Sequence, residues 1–577
     1  MPTTRLRSFV RSIVGTAGAP DWRMGSYWFR NGDVYTVDPE QPWATSLVVH
    51  DELIAHVGDE DGARRHLRSD TVEVDLAGRF VMPGFVDGHD HLIGGGLTKV
   101  GLSLAGLEGK GAVIDAIRRY ALDHPDRPVI RGHGWTPFTF GVGVQPHRHW
   151  LDPVTDVRPA LFHTYDCHDG WANTAAFVAA SVDETSADPN PPYGIWPRDA
   201  DGFPMGTCCE PEAWLPIAIA LGMFSLDNVR EAMAMTLFPA PSWGITTYYD
   251  ASPIVNTHRL AMEVYEHLMR IDREGGLPVR IVGSYAVRND ELPPEVAVGR
   301  LADLHREVRS PHLSITTLKL FLDGVGPQHT AALLEPYTDQ PDNHGPFVLG
   351  PDLVERHVAA ANLAGFDAHM HACGDAGVRG ALDAIERVQV SHGPLGARNT
   401  ICHLELCHAA DVPRFAELGV TVNGTPMWGT DYRGEFMDSY PALIGRDRFE
   451  RDYVPYGSLV RSGALVTFGG DCPGVEIDEI APLQQIEAAV TRQRPGRPDD
   501  RVCGPRQRID LAEALRCYTI NGAIALRLED QVGSLVAGKR ADLVVLGANP
   551  FAVSPHEIHA IPIERTMLGG RITHDTR

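Results

Sequence analysis

The sequence predicts a TIM-like (β/α)8 barrel with a small β-sandwich built from both chain ends. β-rich and helical stretches alternate through the middle of the chain, and eight candidate strands can be counted there. Short β-rich runs separated by turn residues cluster near the start of the chain and return at its end, which predicts the sandwich. Chain termini often lie close together, so the two clusters are expected to fold as one unit.

The first half of the sandwich is expected over residues 27–82, as small antiparallel strands. It contains Tyr27 to Phe29, Val34 to Val37, Thr45 to Val49, Leu53 to Val57 and Val72 to Val74. The second half is expected over 528–577, with strands at Ala541 to Leu546 and between Arg565 and Ile572. The barrel fills 83–527. Its strands are read at Gly84 to His91, Gly244 to Asp250, Val279 to Tyr285, Ile315 to Phe321, Phe366 to His371, Asn399 to His403, Val420 to Asn423 and Ala464 to Asp471. Asp352 to Ala364 and Asp375 to Val390 carry apolar residues at helical spacing. Residues 92–243 are too long for one crossover and predict an insertion, placed as a cover over the barrel mouth.

Composition narrows the function classes. With 577 residues the chain can bury a large core, and 43% hydrophobic with 22% charged residues is ordinary for a soluble enzyme. A net charge of −24 disfavours nucleic acids and anionic membranes as partners. The nine cysteines are an odd count without paired metal-type spacing, so reduced thiols and a cytoplasmic setting are expected. The basic run from Arg5 to Val14 is interrupted by Arg11 and does not read as a signal peptide. The longest mostly apolar run, Trp214 to Phe224, is too short to span a bilayer.

The chemistry is read at the strand ends. Side chains alternate along a strand, so His89 and His91 share one side and Asp90 takes the other. Two imidazoles placed so can hold a divalent ion from adjacent corners. Alone, such a pair is more often structural, so the weight lies in what the other strands add. Lys319 sits in an apolar strand, where an ammonium is costly unless paired or modified. Beside metal-binding histidines, a carbamylated lysine would supply an anionic oxygen ligand. His369 and His371 repeat the spacing, and only one of them is needed as a ligand. His403 ends the sixth strand. Asp471 ends the eighth, after two glycines that let the backbone turn tightly, and an acid there can bind the metal and take a proton from its water.

Those segments resemble the amidohydrolase superfamily, and within it the YtcJ-like branch that includes N-substituted formamide deformylase. The similarity rests on Pro83 to His91, Leu318 to Gly324, His371 to Asp375, Cys402-His403, Phe468 to Pro473, Ala512 to Ala523 and Gly533 to Leu543. It implies a distorted barrel with a β-sandwich, one or two divalent ions with zinc foremost, and His89, His91, Lys319 (as a carbamate), His371, His403 and Asp471 as metal ligands. It also implies a homo-oligomer. The chain departs from the branch at Cys402, where Glu is common, at Gly470, where Ser is common, and at Thr425-Pro426, where Gln-Pro is common. By strand alternation Cys402 should face away from the side His403 faces.

The expected activity is metal-assisted hydrolysis of a non-peptide amide-like C–N bond in a small molecule. Asp471 is the expected proton carrier, and Trp135, His168, Asp323 and Trp428 are candidate substrate contacts. The same metal site would serve a lactone, carbamate or ring amidine. An alternative of another class is an inactive barrel acting as a binding protein.

Overall fold

The computed structural model describes residues 24–141, 143–252, 258–288 and 292–576. The basic segment from Arg5 to Val14 lies outside the described residues. Eight parallel strands form the central sheet: β1 Phe85–Asp90, β2 Ile245–Asp250, β3 Arg280–Val287, β4 Leu313–Phe321, β5 Asp367–Ala372, β6 Thr400–His403, β7 Thr421–Gly424 and β8 Val466–Phe468. Neighbours in sequence are neighbours in the sheet. The ring is drawn together where the Asp471 N–H donates to the His89 carbonyl at 3.0 Å and the Gly470 N–H to the Asp87 carboxylate at 2.9 Å. These are the eight strands read from the sequence, although the eighth is shorter than expected and ends before Asp471.

The helices follow their apolar spacing. Pro351–Leu363 buries Val354, Val358 and Ala361, while Asp375–His392 buries Val378, Leu382, Ile385 and Val388. Proline opens the first of these, where its missing N–H costs nothing. Gly374 precedes the second, and a Cβ there would lie 2.0 Å from the Ala332 carbonyl oxygen, so only glycine fits the approach.

Strands from both chain ends pair in one eight-stranded sheet. Its seam is the antiparallel pairing of Phe80–Pro83 with Leu543–Leu546. Phe29, Leu47, Val81, Leu543, Val545 and Met567 form its apolar core. The sheet is not wholly antiparallel as expected: Val72–Asp75 and Phe80–Pro83 both run parallel to the long strand Ser26–Tyr35. A third sheet, of five short strands between Leu102 and Cys208, lies within the expected insertion and packs on its own core of Val113, Ile117, Leu151 and Phe162. No helix among the described residues is long and apolar enough to cross a membrane, and all nine cysteines are free.

Candidate metal centre

The strand ends bring together residues that are hundreds of positions apart. His89 Nε2 is 3.4 Å and His91 Nε2 3.7 Å from Asp471 Oδ1, and His403 Nδ1 is 3.7 Å from Asp471 Oδ2. The ring of His403 lies 4.8 Å from that of His89 and 4.5 Å from that of His371. Asp90 turns the other way, as alternation requires, and accepts the N–H of Cys472 at 3.0 Å. The two glycines before Asp471 serve close packing: a Cβ at Gly469 would lie 2.3 Å from the His89 carbonyl oxygen. Asp471 itself adopts φ 54°, which aims its carboxylate back over the strand ends.

Three of the histidines are held by one ring nitrogen. His91 Nδ1 lies 3.3 Å from the Ser252 carbonyl, His371 Nδ1 lies 3.2 Å from Asp323 Oδ1, and His89 Nδ1 lies 2.8 Å from His369 Nε2. Nε2 is thereby left for the chamber in His89 and His91, and in His371 it lies 3.7 Å from Cys373 Sγ, the arrangement by which outer partners orient metal-binding imidazoles. His89 Nε2 is buried and has no hydrogen-bond partner. Burial also holds all four imidazoles neutral: it lowers His91 to about 4 and takes His89, His371 and His403 well below their ordinary range. Neutral imidazoles with free lone pairs beside one carboxylate suit a borderline divalent ion, so the residues fit a metal. His369 is not in the chamber; it lies beneath His89, stacked 4.5 Å from Tyr249.

Lys319 is fully buried in the same chamber wall. Its Nζ donates to Cys402 Sγ at 3.3 Å and sits 5.1 Å from the Phe321 ring. Burial lowers its pKa. Cys402 overturns the alternation expectation: its sulfur faces inward with His403 rather than away from it. The cause is local. His403 takes φ 80°, so the strand period breaks between the two residues.

A cavity opens from this chamber to solvent. His91, Lys319, His371, His403 and Asp471 line it at one end, and His168, Trp214, Arg288, Phe321 and Trp428 line its walls. The insertion contributes His168 and Trp214 to this lining. Of the four candidate substrate contacts, His168 and Trp428 reach this cavity. Asp323 does not; it is wholly buried behind His371 and accepts the N–H groups of Ala332, Cys373 and Gly374. Trp135 does not line the cavity either. Its indole packs in the insertion core and donates to the Phe162 carbonyl at 3.1 Å. Glu210 was missed: buried at φ 67°, it lies 2.5 Å from His168 Nδ1 and accepts from Thr330. Burial opposes charge on His168, but the Glu210 carboxylate outweighs it and pushes the imidazole up to about 10. Nothing in the run Cys208-Cys209-Glu210 signals that role in sequence.

A sequence model of the amidohydrolase family matches residues 72–574. The putative amidohydrolase YtcJ of Bacillus subtilis is 27% identical, covering 96% of this chain and 100% of its own. The N-substituted formamide deformylase of Arthrobacter pascens is 26% identical over 94% of this chain and 97% of its own. Among solved structures, an uncharacterized metal-dependent hydrolase from Pyrococcus horikoshii shares the fold, with a TM-score of 0.70 and 22% identity, over 92% of this chain and 99% of its own.

Proposed function

The chain belongs to the amidohydrolase family, and on that premise we propose that it hydrolyses a non-peptide amide-like C–N bond of a small molecule at the barrel mouth. The observation that carries this is the convergence of His89, His91, His371, His403 and Asp471 into one cluster, four of them lining a cavity with His89 buried behind. These five would hold one or two divalent ions, and zinc suits the imidazole-rich set. A bound ion supplies Lewis acidity toward the carbonyl and lowers the pKa of water.

The rest is work for the chain's own groups. Asp471, at the open end of the set, accepts a proton on its carboxylate and returns it to the departing nitrogen. Burial raises its pKa, which favours a carboxylate able to hold that proton for part of the cycle. His168, kept cationic by Glu210, faces the same cavity and can stabilise negative charge growing on the substrate. Trp428 and Phe321 supply apolar walls that exclude water. The family resemblance assigns a further anionic donor to a carbamate on Lys319. Its Nζ lies 3.3 Å from Cys402 Sγ and 5.1 Å from the Phe321 ring.

The relative that deformylates N-substituted formamides supports an amide as the bond broken. The test is a panel of N-formyl and N-acyl amines with lactones, carbamates and ring amidines beside them, assayed before and after chelation. Hydrolysis of the amides that disappears on chelation and returns with zinc is expected. Turnover confined to the other classes, or indifferent to chelation, would overturn the reading.

A further inference from the structure

The inward sulfur of Cys402 has no place in the donor set above, and the family pattern puts a different residue there. Cys402 Sγ, a ring nitrogen of His89 and a ring nitrogen of His403 all lie within 4.8 Å of one another. Each of the three residues is buried. Independently of the cysteine, His89 Nε2 is a buried nitrogen without a hydrogen-bond partner, in a residue of 0% exposure.

The neighbours of the sulfur point the same way. Lys319, also 0% exposed, donates to Sγ at 3.3 Å and forms no ion pair with a carboxylate among the described residues. Nζ is a donor that can hydrogen-bond a metal-binding thiolate, the form of cysteine that binds metal. The remaining contact of Sγ, the Met370 carbonyl at 3.3 Å, is one that a thiol proton could make and that a metal-bound sulfur gives up.

We propose that Cys402 is a metal ligand of this enzyme, its sulfur binding the ion on the side held by His89 and His403, with Lys319 Nζ as a hydrogen-bond donor to it. Binding displaces one proton from Sγ to solvent and forms one metal–sulfur bond, with no change of oxidation state. A sulfur donor selects borderline and soft ions such as zinc, cobalt and cadmium over magnesium or manganese. The inference rests on the metal-dependent reading above.

The test is spectroscopic. Protein stripped of metal is loaded with Co2+ and its absorption recorded for the wild type, Cys402→Ser and Cys373→Ser. Cys373 is the control because its sulfur is also close, 3.7 Å from His371 Nε2. The wild type and Cys373→Ser should show visible cobalt ligand-field bands together with a near-ultraviolet sulfur-to-cobalt charge-transfer band. Cys402→Ser should lose the charge-transfer band and keep the ligand-field bands. Ligand-field bands without charge transfer in the wild type, or charge transfer that survives in Cys402→Ser, would overturn the sulfur ligand while leaving the metal site standing. Absence of any cobalt spectrum in the wild type would overturn both. Should the variant not fold, zinc X-ray absorption on the wild-type holoenzyme decides alone. A sulfur scatterer at about 2.3 Å is expected, and a shell of nitrogen and oxygen only would reject the proposal.

Discussion

His369 Nε2 lies 2.8 Å from His89 Nδ1, so the two His-x-His pairs of the barrel meet inside it. The contact separates their roles: His371 faces the chamber, and His369 stands one layer deeper with its ring stacked on Tyr249. With Nδ1 of His89 engaged, Nε2 is the nitrogen left for a metal.

His369→Ala should therefore weaken metal binding without removing a ligand. The expected loss is about 10- to 100-fold in affinity, typical of partners that orient a metal-binding imidazole. Competition with a chromophoric chelator measures it. Unchanged affinity would make His369 a packing residue only.

Asp471→Asn should lower kcat by about 100- to 10,000-fold, the usual contribution of a positioned acid–base group. The amide cannot shuttle the proton, although its carbonyl can still face the cavity. Turnover should be read beside metal content, so that loss of metal is told apart from loss of proton transfer.

The His168–Glu210 pair carries a pH signature. The folded-state pKa of His168 is raised to about 10 from 6.5 because of Glu210, against the effect of burial. A raised histidine stabilises the fold fully below its unfolded pKa and loses that contribution as pH climbs through the folded one. Glu210→Gln should therefore lower Tm most below about pH 6.5, and the gap to wild type should narrow as pH approaches the raised value. A gap that stays constant across this range would show that the pair is not the source.

Trp135→Ala tests the placement of a residue that the sequence offers as a substrate contact. It should cost about 3–5 kcal/mol of stability, as for other buried tryptophans, with KM little changed. Thermal unfolding and steady-state kinetics on the same preparation check both halves. A large rise in KM with no loss of Tm would return Trp135 to the cavity.

The barrel was legible in the linear chain because each strand repeats a short pattern and ends on an unusual polar residue. His89, His91, His403 and Asp471 could be named from those ends, since a parallel barrel gathers all its strand ends on one rim. Where local periodicity was the whole signal, the reading held only while the period held. Cys402 was aimed the wrong way because His403 turns to φ 80°, a backbone choice that no alternation rule contains.

Other features belong to contacts between distant segments. His168 is cationic through Glu210, 42 residues away. Which of His369 and His371 faces the chamber depends on depth within the closed ring, because both lie on the same side of one strand. Trp135 could not be placed from its neighbours, since its surroundings are the core of an insertion assembled from five separate short strands. Periodicity and composition act along the chain and can be read there. Orientation, charge state and depth are set by what packs across from a residue, and that partner exists only once the chain has closed on itself.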